Sequence, residues 1–90
     1  MKKRIAIKID WELFQAGVQD SHTLCPVALF LRRNKQIQFV NVDYSLITFE
    51  ALGCKFQIIP SQELQDWMTA YDTRRYTVGP KTFTETVTSL

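Results

Sequence analysis

The sequence predicts an α+β fold, a mostly antiparallel sheet of about five strands with helices packed on it, in the order β-α-α-β-β-β-α-β. Three observations predict it. Ile5, Ile7 and Ile9 alternate with Arg4, Ala6 and Lys8, the period of a strand with one buried face. Leu64, Trp67, Met68 and Tyr71 recur at i, i+3, i+4 and i+7, one face of a helix. Between them, three alternating segments over residues 36–59 are broken by Tyr44-Ser45 and by Gly53, as expected of short antiparallel strands.

Taken in order, the first strand is expected over 3–9. Asp10 suits an N-cap, Trp11, Leu13 and Phe14 supply apolar side chains, and Gly17 offers a left-handed stop, so 11–16 reads as a short helix. Asp20-Ser21-His22-Thr23 is polar and loop-like. Pro26 suits a first helical position, and Arg32, Arg33 and Lys35 sit where a helix dipole is negative, so 26–33 is expected to be a buried helix. The apolar block Val27–Leu31 also fits a strand, because five apolar residues carry no decisive period.

Over 36–42, Ile37 and Phe39 occupy one parity and Val40 and Val42 the other. Either both faces of that strand are covered or a bulge lies near Phe39–Val40. Strands over 46–50 and 54–59 follow. Ser61 is a good N-cap for the helix over 61–74, whose Gln62, Gln65, Asp66, Thr69 and Thr73 take the solvent side. A Thr-rich strand over 82–88 closes the order. Glu85 shares a side with Phe83 and Val87, which suggests an edge position for that strand.

The 90 residues, 46% hydrophobic and 22% charged with 3 Gly and 3 Pro, exclude disordered, collagen-like and low-complexity chains and suit one domain spanning 1–90. At this size ordering cost nearly cancels apolar burial, so self-association would help, and a homodimer is expected. No apolar run is long enough to span a bilayer, and Lys8, Asp10 and Glu12 interrupt the apolar stretch after Met1-Lys2-Lys3-Arg4. No membrane association and a cytoplasmic location are therefore expected. Cys25 and Cys54 lack metal-ligand spacing and are expected as reduced thiols, and neither a metal nor a cofactor is expected.

Charge is uneven: residues 1–35 carry +4 and residues 36–90 carry −2. The basic half could attract phosphate, yet charges at strand and helix ends more often keep those ends solvated.

Ala16-Gly17, Cys25-Pro26-Val27-Ala28, Arg32, Ile59-Pro60, Trp67, Tyr71-Asp72, Val78, Pro80 and Phe83 together form a pattern that covers most of the chain. In it the sequence resembles a family of small proteins of unknown function found in bacterial and phage genomes. The resemblance implies the same order of elements and brings no activity, cofactor or catalytic residue.

Three constellations invite a functional reading. Cys25 at a helix start sits among free N–H groups that would favour a thiolate, with His22 three residues upstream as a base. The alternative is a buried cap residue beside a solvated histidine. Arg74-Arg75 beside Arg32-Arg33 would clamp a phosphate or carboxylate if the two helix ends converge; otherwise they complement helix dipoles. Lys35, Phe39 and Val40 echo an RNA-recognition signature that lacks its glycines and two aromatics, so a buried mixed strand is the favoured reading. The function expected first is a non-catalytic interaction module with an unknown protein partner. Nucleic-acid or anionic-ligand binding by the basic half comes second, and a thiol-dependent enzyme third.

Overall fold

The computed structural model describes residues 2–90. In chain order these form β1 (Lys2–Ile9), α1 (Trp11–Ala16), α2 (Pro26–Arg32), β2 (Ile37–Val42), β3 (Ile47–Ala51), β4 (Cys54–Ile58), α3 (Gln62–Arg74), a 3-10 turn (Arg75–Thr77) and β5 (Lys81–Ser89). The ambiguous block Val27–Leu31 is helical. The sheet runs β1-β5-β4-β3-β2, and every neighbouring pair is antiparallel. No helix among the described residues is long and apolar enough to cross a membrane.

Local chemistry sets each boundary. Asp10 Oδ1 accepts from the Leu13 amide at 2.9 Å and starts α1, and Ser61 Oγ accepts from the Leu64 amide at 3.2 Å and starts α3. Pro26 occupies the first turn of α2, where its missing N–H costs nothing. Leu52 and Gly53 both have positive φ, 53° and 78°, so β3 and β4 join through a two-residue turn whose twist matches the strands.

The mixed parity of β2 is a bulge. Pairing with β3 shifts between Gln38 and Asn41, and Phe39 takes φ 55°, which turns Val40 and Val42 inward after Ile37.

One face of the sheet carries the helices. Ile7, Ile9, Ile47, Ile58 and Phe83 are buried there against Phe14, Val27, Leu64, Trp67 and Tyr71. On the other face Lys2, Arg4 and Lys8 stand directly across from Thr88, Thr86 and Thr82.

Three sequence expectations fail. β2 is not a buried strand: it is the edge of the sheet, and its bulge leaves Phe39 72% exposed. β5 is not an edge strand: it lies between β1 and β4, and Glu85 is only 4% exposed. Its carboxylate is tolerated because Oε1 accepts from the Ser61 amide and Oε2 from the Ser61 hydroxyl, each at 2.7 Å. An inward carboxylate therefore marks the site where a helix start is tied to the sheet. Gly17 is not left-handed either; its φ is −65°. Glycine is needed there for space, since a Cβ would lie 2.6 Å from the Pro26 ring and 2.7 Å from the Tyr71 hydroxyl.

Candidate functional site

The α1–α2 loop and the end of β2 enclose a cleft of about 80 Å³, lined by Asp20, His22, Cys25, Asp43, Tyr44 and Asp72 over an apolar floor that includes Trp67 and Tyr71. The thiol and the imidazole of the sequence reading thus do share a cleft with carboxylates, but the imidazole is anchored through Nδ1 to β2 and the thiol is buried. His22 Nδ1 lies 2.7 Å from the Val42 carbonyl oxygen, which only accepts, so Nδ1 carries the proton. The Val42 amide returns a bond to the His22 carbonyl at 2.8 Å, so this loop residue pins the sheet's outer strand.

Asp72 Oδ1 accepts from the Asp20 amide at 2.9 Å, and Oδ2 accepts from the Tyr44 hydroxyl. Burial, and then the bond to Asp72, hold the Tyr44 phenol above its ordinary pKa. Cys25 is 7% exposed, and burial pushes its thiol up. The amides of Ala28 and Val27 at the start of α2 pull the other way with less effect. The helix start therefore does not make a thiolate here.

No hydrogen bond joins His22 to Cys25 among the described residues, and no group of three or more His, Cys, Asp or Glu among them could hold a metal ion. The cleft is also well below the roughly 300 Å³ of small ligand sites. Its polar groups close the loop onto β2 and α3.

The four arginines do not converge on a clamp. Arg33 straddles the start of α1, bonding Asp10 at 3.0 and 3.3 Å, and the pair holds the Asp10 carboxyl below its ordinary pKa. Arg75 reaches the opposite end of α1, donating to the carbonyls of Phe14 and Gln15 at 2.9 and 2.8 Å and lying over the Phe14 and Tyr71 rings. Arg75 thus complements a helix dipole, as one sequence reading expected, but the dipole is that of α1 and not of its own helix. Arg32 donates to the Thr23 carbonyl at 3.1 Å, and Arg74 is exposed at the end of α3.

Sequence reasoning missed a large apolar concavity. The helices leave one end of the sheet uncovered, and a trough of about 690 Å³ opens there. Ile5, Val87, Phe56, Phe49 and Ile37 bring all five strands to its floor, and Phe30 at the end of α2 forms its wall. Phe49 and Phe56 stack across β3 and β4 at 5.5 Å. Lys3 and Arg33 stand on the rim, and none of the lining residues is acidic. The alternation in β1 and β4 marks these side chains as inward-facing; how far the helices reach over them depends on tertiary packing.

Comparison with protein families, with curated proteins and with solved structures finds no match to the chain.

Proposed function

We propose that the protein is a non-catalytic interaction module whose trough seats an amphipathic helix of a protein partner. The observation that carries this is the trough itself, an apolar floor spanning five strands beneath a rim with cations and no acids. A large, mostly apolar concavity with a few polar groups at its rim is the kind of surface that binding sites use. Four strand spacings of about 4.8 Å make it about 19 Å wide, the length of about 13 helical residues at 1.5 Å each. Arg33 is engaged by Asp10, so Lys3 is the rim cation that favours an acidic residue flanking the apolar stripe of that helix.

A second copy of the chain is the competing occupant, since a homodimer would add burial that a 90-residue core lacks. Two troughs face to face would present Lys3 of each copy to a lining that holds no acid, which opposes it. The exposed free thiol of Cys54 supports a reducing, cytoplasmic setting. We further propose kinship with the small bacterial and phage proteins that the sequence resembles. It is supported by three residues of the shared pattern, Gly17, Pro26 and Tyr71, meeting in one contact between α1, α2 and α3.

A fluorescein-labelled 14-residue helix with a Leu/Phe stripe and Glu flanks tests the reading by anisotropy, beside its Lys-flanked counterpart. The Glu form should bind and lose at least tenfold in affinity on Phe30→Asp or Ile37→Asp, with the urea midpoint unchanged. Equal binding by both peptides, or by wild type and variants, overturns it. Sedimentation showing a dimer abolished by the same substitutions assigns the trough to a second copy instead.

A further inference from the structure

A second concavity lies at the outer edge of β2, about 650 Å³, where Phe39 stands with Arg32, Lys35, Gln38 and Thr23. Phe39 is 72% exposed and sits at φ 55°, a conformation that bulky residues adopt only at a cost. The fold accounts for the bulge, because Val40 and Val42 must turn inward after Ile37. It does not account for a phenylalanine there, since Gly or Asn fills such a position with less strain and Phe39 is not among the core side chains.

The surroundings suggest what the ring is for. Arg32 and Lys35 are exposed, neither forms an ion pair among the described residues, and no acid lines the recess. Arg32 spends one N–H on the Thr23 carbonyl at 3.1 Å, leaving most of its donor fork free. Gln38 brings an amide to the same wall. An exposed ring in one recess with two unpaired cations and an amide has the parts of a site for an unpaired nucleobase with its phosphate: stacking on the ring, charge at the backbone, hydrogen bonds at the base edge.

We propose that the Phe39 recess binds single-stranded nucleic acid, one base stacking on Phe39 with its phosphates against Arg32 and Lys35. This is not the RNA-recognition arrangement that Lys35, Phe39 and Val40 echo. There the rings stand on an open sheet face, whereas Phe39 projects from a bulge in an edge strand. Nor does it depend on the trough, whose lining includes none of Phe39, Arg32 and Lys35.

The test is anisotropy of a labelled ten-nucleotide single strand on the whole protein at 50 and 200 mM salt, with uridine monophosphate as competitor. Stacking on one ring sets the expected loss on Phe39→Asn between about fivefold and about a hundredfold. The same change should raise the thermal midpoint by relieving the backbone, which separates a binding role from a folding one, and Phe39→Trp should retain affinity. With two phosphates neutralised, affinity should fall about sevenfold between the two salt concentrations, a dependence that the double variant Arg32→Gln, Lys35→Gln loses. A strand that binds more tightly than the monophosphate identifies a nucleic acid as the source of the base; equal affinities identify a free nucleotide. Undiminished binding by Phe39→Asn overturns the proposal. So does binding abolished only by neutralising Lys2, Arg4, Lys8 and Lys55 on the open sheet face, binding to anionic lipid vesicles with the same variant dependence, or no binding by either probe.

Discussion

Replacing Glu85 with Gln tests the link between sheet and helix most sharply. The carboxylate is buried in an interior strand, and both of its oxygens are spent on Ser61, one on the amide and one on the hydroxyl at 2.7 Å. The glutamine oxygen preserves one of these bonds and turns an NH₂ group towards the other donor. The Ser61 hydroxyl can turn to accept from that NH₂, so a charge-assisted bond is exchanged for a neutral one, a cost of about 1–2 kcal/mol. The negative charge near the first turn of α3 disappears as well, which adds in the same direction. For a domain of this size the thermal midpoint should fall by about 5–15 °C. Thermal and urea unfolding followed by the fluorescence of Trp67, packed between Phe14 and Phe83, measure the midpoint and the free energy. Combining Glu85→Gln with Ser61→Ala should give a coupling of at least about 1 kcal/mol, because both changes break the same contact. A loss below about 0.5 kcal/mol, or strict additivity in the double variant, would refute the claim that this carboxylate ties the helix start to the sheet.

Other outcomes rest on single positions. Gly17→Ala should cost about 1–3 kcal/mol by urea midpoint, because its Cβ would lie 2.6 Å from Pro26 even though the backbone angle is ordinary. Leu52→Asn should gain about 1 kcal/mol, since Leu52 is 77% exposed at φ 53° in the β3–β4 turn and Asn adopts that conformation readily. Asp10 has its pKa lowered from 3.8, first by Arg33 and then by the Leu13 amide, so its contribution to stability is present above the unfolded value and is lost as pH falls through the lower folded one. Thermal midpoints recorded from about pH 5 down to about pH 2.5 should therefore drop less steeply in Asp10→Asn than in the wild type.

The elements visible in the sequence are those whose signal is local. Period two at Ile5, Ile7 and Ile9, the Asp10 and Ser61 caps, Pro26 and the Leu64–Tyr71 stripe each involve neighbours within one or two turns, and the structure has a strand or helix at each. The parity conflict at Phe39–Val40 was legible for the same reason, and it proved to be a bulge. Glu85 was misleading because strand order is decided elsewhere. Once β1 takes β5 as its neighbour, a carboxylate that reads as an edge device faces a helix start 24 residues away along the chain. The candidate sites divide in the same way. His22 and Cys25 were visible as residues, but the Val42 carbonyl that engages the imidazole and the burial that raises the thiol's pKa come from tertiary packing. The trough left no local signal, because an inward-facing phenylalanine looks the same in sequence whether or not a helix covers it.

Strand β1 has one neighbour in the sheet, and Lys2 finds its partner at Thr88. The meander β2-β3-β4 zips from near neighbours, whereas the first strand stays unpaired until a segment more than seventy residues downstream is in place. Closure of so long a loop is slow, so β1 should be the last strand to gain hydrogen-exchange protection during refolding. Until then Lys2, Lys3, Arg4 and Lys8 give the waiting strand a charge that repels other copies of itself, which protects the half-folded chain from clumping.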